Sequence, residues 1–318
     1  MLISVLLVAV GFVLLIKGAD FLVDGASSIA KKFHIPEIVI GLTIVSIGTS
    51  MPELFVSTTS ALQGSADMSI GNIIGSNICN LLLILGVSAA ISPVKFQKST
   101  THIEIPMCFA ITLVFLVISS TNKTISILDG IILLVLFAGF ICYTLYVAKK
   151  GQSEAAKVVE EDEPNQKKNS VLKDIVLIAV GILGLKFGGD LTVDNAVVIA
   201  EDLGISEKVI GLTILSIGTS LPELVTSVVA AIKGNDDIAI GNIIGSCIFN
   251  ILMIIGVTAC ITPLSFNLSY NVDLIILLFA RVLLEVFAFT KPKGQMSRSN
   301  GIIYAVLYLV YLAMLFVR

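Results

Sequence analysis

Two glutamates set inside long apolar runs are the residues of this sequence best placed to do chemistry. Glu53 and Glu223 each follow a proline, in GTSMPE and GTSLPE, and each is trailed by a second apolar run carrying asparagine and serine, GNIIGSNICN and GNIIGSCIFN. The stretches 41–86 and 211–256 align without a gap at an offset of 170, with 28 of 46 positions identical. A carboxylate at bilayer depth costs at least ~2.5 kcal/mol unless something compensates it, so a duplicated one marks a functional site. No basic residue is repeated beside either glutamate, which points to a cation as the compensating charge.

The neighbouring residues fit that chemistry. Pro52 has no N–H and its ring clashes with the carbonyl of Gly48, so a helix through this stretch breaks or kinks at Gly48, Thr49 and Ser50. Gly218 and Pro222 repeat the device. Backbone freed in this way at membrane depth offers carbonyls to cations, and Glu53 lies one helical turn beyond Thr49, so carboxylate, hydroxyl and carbonyl can converge. In the second run Asn72, Ser76 and Asn80 share one helix face, as do Asn242, Ser246 and Asn250, while Gly71, Gly75, Gly241 and Gly245 permit close helix approach. Oxygen donors alone suit hard cations such as Ca2+ and Na+.

The elements that must position these groups are membrane spans. The chain has 318 residues, 56% hydrophobic and 14% charged, with a mean hydropathy of +1.01, outside the soluble range. Its net charge of −3 forms no basic face for nucleic acid. The five cysteines sit in apolar runs without metal spacing, and no P-loop pattern occurs, so neither a cofactor nor an enzymatic reaction is expected. Residues 1–16 carry no positive flank or cleavage pattern, and positions such as Val10, Gly11, Asp20 and Asp24 recur as Val180, Gly181, Asp190 and Asp194; this run is expected to be a first span, not a leader.

Apolar runs read against the roughly 20 residues needed to cross a bilayer give ten spans, near 2–28, 37–62, 68–90, 104–120, 125–147, 172–198, 207–232, 238–260, 272–290 and 300–317. The fold expected is an all-α integral membrane protein of ten transmembrane helices, with helices 2 and 7 broken. Five spans per repeat is odd, so the second copy lies upside down. The division is a first repeat at 1–148, a linker at 149–171 and a second repeat at 172–318. Placing the 29–36 loop inside collects 14 lysines and arginines on that side against 3 on the other, so both termini are expected outside a cell membrane and the linker in the cytosol. The linker reads as a flexible, solvated tether, acidic run Glu160 to Glu163 included. Lys17 and Lys186 can pair with Asp20 and Asp190, Arg281 with Glu285 one turn away. Asp20, Asp24, Asp190 and Asp194 lie towards span ends, where solvation is easy.

The paired signatures resemble the alpha-repeats of the cation/calcium antiporter superfamily, and among its branches the sodium/calcium exchangers, in their short prokaryotic form. The resemblance covers the whole chain. It implies a secondary active antiporter that exchanges Na+ for Ca2+ by alternating access, electrogenically, with the first and sixth spans as a sliding pair. It makes Glu53 and Glu223 the shared carboxylates, gives backbone carbonyls to Thr49 and Thr219, and lines flanking sodium sites with Ser50, Ser76, Ser220 and Ser246. The carbonyls of Ser46 and Ser216 are further candidates, and Asn80 and Asn250 complete the middle. The ions and the bilayer are the expected partners, with no obligate protein partner and a monomer sufficient. Asn250 stands where prokaryotic exchangers often, and the potassium-dependent branch, carry aspartate, which argues against potassium dependence. The acidic residue that marks the proton/calcium branch is missing from the GN-containing helix. An antiporter coupling Ca2+ or another divalent ion to protons is the alternative on the same scaffold, and a passive cation channel the more distant one.

Overall fold

The structure is a computed structural model whose description covers residues 2–158, 170–204 and 216–317. Within it the chain is almost wholly helical. Helix α1 is Leu2–Lys32; α2, Glu37–Thr49, and α3, Met51–Leu62, meet at a 48° bend. Then come α4 (Ala66–Ile91), α5 (Thr100–Thr121), α6 (Ile127–Val158) and α7 (Val171–Asp202). After a short turn at Ser216–Gly218 follow α8 (Leu221–Ile232), α9 (Asp236–Ile261), α10 (Tyr270–Phe289) and α11 (Arg298–Val317). Among the described residues six helices are long and apolar enough to cross a membrane, and the bent pair makes a seventh. The expected flexible linker is shorter than its 149–171 bounds: residues 149–158 continue α6 and Val171 already opens α7, while 159–169, with the start of the expected seventh span, lie outside the described residues.

Large apolar side chains face outwards, as on Leu2, Leu128, Phe55 and Leu309, which suits a surface bathed in lipid. Polar residues are turned inwards. Two small antiparallel sheets lock the halves together: β1 (Val94–Lys95) pairs with β4 (Gln295–Met296), and β2 (Thr124–Ile125) with β3 (Leu264–Ser265). The sequence offset carries β1 onto β3, and β2 onto β4 to within a residue, so the two sheets are the same contact seen from each repeat.

Helices α1 and α7 lie against each other along most of their length. The reason is a row of glycines seven residues apart, Gly11, Gly18 and Gly25, facing Gly188, Gly181 and the backbone at Asp174. A Cβ on Gly18 would stand 2.7 Å from the Leu185 nitrogen and 2.8 Å from the Gly181 carbonyl oxygen; only glycine allows this backbone contact. Lys32 adds an ion pair to buried Asp174 at 2.7 Å.

Close approach at the second glycine pair also holds. Gly241 packs on the Gly41 Cα, and a Cβ on Gly245 would collide with Leu42 backbone and the Ser46 hydroxyl. The offset partners of that face for Gly71 and Gly75 fall largely outside the described residues. One expected pair is not formed: Arg281 is buried, but it donates to the Cys108 carbonyl, the Thr112 hydroxyl and the Asn77 side-chain oxygen instead of meeting Glu285. Its fork is drawn across to neutral oxygens on α4 and α5, and Glu285 Oε2 is left buried without a partner.

Candidate cation site

Each glutamate occupies the first turn of a helix that starts in mid-protein. Helix α3 begins at Met51 with Pro52 next, and α8 at Leu221 with Pro222 next. Proline is tolerated there because the first N–H groups of a helix have no acceptor within it. Ser50 and Ser220 precede the two helices with matching backbone angles, φ −86° and ψ 11° against φ −91° and ψ 7°. The positive ends of two short helices thus converge on the carboxylates of Glu53 and Glu223.

Both carboxylates are fully buried, and each is held by the other repeat. The Ser50 hydroxyl donates to Glu223 Oε1 at 2.8 Å, and the Ser220 hydroxyl to Glu53 Oε1 at 3.3 Å. Threonines cross in the same manner: Thr49 Oγ1 donates to Asn242 Oδ1 at 3.0 Å and Thr219 Oγ1 to Asn72 Oδ1 at 3.5 Å. Each asparagine turns its amide nitrogen back to its own repeat, Asn72 to Ser57 Oγ at 2.9 Å and Asn242 to Ser227 Oγ at 2.9 Å. They also reach the Glu53 and Glu223 carbonyls, at 3.5 and 3.4 Å.

What remains unpartnered is equally symmetric. Glu53 Oε2, Ser76 Oγ and both amide atoms of Asn80 are buried without a hydrogen-bond partner, and so are Glu223 Oε2, Ser246 Oγ and both amide atoms of Asn250. A buried polar group left unsatisfied costs about 1–3 kcal/mol. Six of these eight atoms are oxygens, the donor type that can take up a hard cation.

Local helix geometry explains how Asn80 and Asn250 come to lie there. Each is the second residue of a widened π stretch, Cys79–Ile84 in α4 and Phe249–Ile254 in α9, a distortion that recurs at functional sites. Ser46 is buried and its hydroxyl is spent on the Leu42 and Thr43 carbonyls, at 2.9 and 3.2 Å. The Ser216 side chain lies outside the described residues. Asn72 and Asn242 accept from the threonines of the opposite repeat, and two further residues, Ser57 and Ser227, hold the asparagine amides from within their own repeat. Their signal in the sequence was identity at the 170 offset.

The comparisons with known proteins agree with one another. A family model described as "Sodium/calcium exchanger protein" matches residues 3–146 and again 173–317. The sodium/calcium exchanger MaX1 of Methanosarcina acetivorans is 32% identical, with 99% of each chain covered. The inner membrane protein YrbG of Escherichia coli is 33% identical, covering 99% of this chain and 98% of its own length. A solved structure of the sodium-calcium exchanger NCX_Mj, soaked with 2.5 mM Na+ and 0.1 mM Ca2+, superposes with a TM-score of 0.83 at 35% identity, covering 98% of both chains.

Proposed function

The chain belongs to the sodium/calcium exchanger protein family, and from that premise we propose that it is a secondary antiporter exchanging Na+ for Ca2+ by alternating access, with no chemical conversion of substrate and no resident cofactor. The observation that carries the reading is the cross-repeat cage: two buried glutamates, each fixed by a serine of the opposite repeat, facing unpartnered oxygens of Ser76, Asn80, Ser246 and Asn250. Glu53 and Glu223 carry the charge of Ca2+ or of the sodium ions that replace it. Ser50 and Ser220 hold one oxygen of each glutamate in place. Thr49 and Thr219 tie each helix break to the asparagine-bearing helix of the opposite repeat and offer their carbonyls to the ions, with the carbonyls of Ser46 and Ser216 beyond them. One chain supplies both halves of the cage, which supports function as a monomer. The deciding experiment is radiolabelled Ca2+ uptake into proteoliposomes under imposed sodium and proton gradients, uptake driven by sodium being the expected result.

The cage also supports ten crossings in two inverted halves, 1–148 and 172–318, joined by the 149–171 linker. The two sheets favour this arrangement, because each joins loops that an inverted repeat puts on one side. A reporter fused within 148–171 is expected to be cytosolic, with tags at both Met1 and Arg318 accessible from outside. Termini found on opposite sides would overturn the ten-span reading.

Asn250→Asp tests the charge inventory. The amide stands unpartnered in a dry setting, so the new carboxyl must either protonate or hold an additional cation. The expected result is a new pH dependence of Ca2+ transport between about pH 6 and 8, or a changed ion preference. Unaltered kinetics across that range with the same ion preference would remove Asn250 from the cluster.

A further inference from the structure

The two repeats are chemically alike at the cage but not at the end of α8, where Lys233 closes the last turn before the loop into α9. Lys233 Nζ lies 2.7 Å from Asp24 Oδ1 and 3.1 Å from Asp20 Oδ1, with the Asp20 carbonyl at 3.4 Å. Both aspartates belong to α1. Partial burial works against the ammonium, but the hydrogen bonds and charges of Asp24 and Asp20 outweigh it and lift the Lys233 pKa above the ordinary lysine value, so it stays charged. The surrounding charges are Lys17, 3.6 Å from Asp20, Lys31, which lines a cavity of about 520 Å³ with Asp24, Ser27, Ser28, Lys233 and Asn235, and Glu37 of α2, 3.9 Å from Lys31 and accepting from the Ser27 hydroxyl at 2.6 Å.

The offset position in the first repeat is Gln63, and the offset partners of Asp20 and Asp24 are Asp190 and Asp194. There the carboxylate has a different fate. Asp190 pairs within its own helix with Lys186 at 2.7 Å. Packing is asymmetric in the same sense: α1 lies along α8, whereas among the described residues α7 makes no comparable contact with α3. Helices α1 and α7 are bound to each other by the glycine row and by Lys32 with Asp174, and at one end α1 is tied to the rest of the protein by Lys233 of α8 and, through Ser27 and Lys31, by Glu37 of α2.

We propose that Lys233 with Asp20 and Asp24 is an electrostatic latch that holds the α1–α7 pair closed over the cage on the side where the 149–171 linker lies. The proposal rests on the antiport reading. In a molecule of inverted repeats, the opposite-facing state is reached by exchanging the roles of the halves. In that state Asp190 and Asp194 approach Gln63, a neutral amide with no charge to give. The latch therefore has no counterpart, and the resting equilibrium is biased towards the state described here.

The test introduces Ala230→Cys, at a fully buried position one turn before Lys233, into full-length protein lacking Cys142 and Cys260; the same protein with Ala230 retained controls for the buried native cysteines. Labelling by a membrane-impermeant maleimide from the linker side reports opening between α1 and α8. Lys233→Gln is expected to speed labelling about five-fold, the factor equivalent to the ~1 kcal/mol upper value for a partly exposed ion pair. Asp20→Asn with Asp24→Asn should do the same from the other helix, so failure of one variant to fold leaves the test standing. Lys233→Arg should restore slow labelling, which mere loosening of packing would not predict. Gln63→Lys gives the second state its own latch, and should speed labelling with Lys233 left in place.

Unchanged labelling in Lys233→Gln and in the double aspartate variant, with Ca2+ exchange intact, overturns the latch. Absence of Ca2+ exchange in the unaltered protein, with either sodium or protons, overturns the antiport reading instead.

Discussion

Replacing either Glu53 or Glu223 by glutamine is expected to cut Ca2+ transport by about 100-fold or more while leaving the protein folded. Unit charges about 4 Å apart attract by about 4 kcal/mol at an effective dielectric constant near 20. Losing one carboxylate charge therefore removes up to about 8 kcal/mol of gross attraction for a divalent ion, and about half of that for sodium. If only a third of this survives as net binding, Ca2+ affinity still falls about 100-fold. Glutamine keeps the shape and keeps Oε1 as acceptor for the opposite serine hydroxyl, so the repeats stay joined. Calcium should suffer more than sodium in both variants, and the two should behave alike, because their surroundings are matched. Near-normal Ca2+ uptake by either purified variant in proteoliposomes would remove that residue from the site.

That Glu53 and Glu223 are buried in the first turns of proline-opened helices is legible because it follows from rules local in sequence. Pro52 and Pro222 announce where a helix can begin, and identity at a fixed offset doubles every observation. Reach between distant segments was not legible. Nothing in a span of about 20 residues says that the Ser50 hydroxyl serves the glutamate 173 residues away, or that Asn242 receives the Thr49 hydroxyl. The π stretches that carry Asn80 and Asn250 have no propensity signature in the sequence. Arg281 shows the same limit from the other side. Spacing pairs it with Glu285 one turn away, but helix spacing proposes only neighbours on one helix, whereas a buried guanidinium takes the nearest dry oxygens on any helix. The Lys233 pairs with Asp20 and Asp24 escape the sequence for a like reason, since Lys233 belongs to the far repeat, while Asp24 keeps the exposure expected near a span end.

Sodium is expected to be the ion that drives Ca2+ across, and the exchange is expected to move charge. Two glutamates carry two negative charges, which one Ca2+ balances and two Na+ also balance. The neutral oxygens of Ser76, Asn80, Ser246 and Asn250, unpartnered in the structure, leave room for a third Na+, whose loading adds one uncompensated positive charge per cycle. Three Na+ leaving for one Ca2+ entering therefore exports one net charge, and a membrane potential must bias the exchange. An elementary charge moved through 100 mV is worth about 2.3 kcal/mol, or roughly 50-fold in the Ca2+ gradient that vesicles can sustain. Sodium-loaded, calcium-free proteoliposomes should take up external Ca2+ faster when the interior is made positive, and a protonophore alone should not abolish the uptake. Two Na+ per Ca2+ would leave the rate indifferent to potential, confining the ions to the two carboxylates. Uptake that follows an outward proton gradient and ignores sodium would replace sodium with the proton as the coupling ion, and the unpartnered Glu53 and Glu223 oxygens would then be proton-carrying groups alternating with Ca2+.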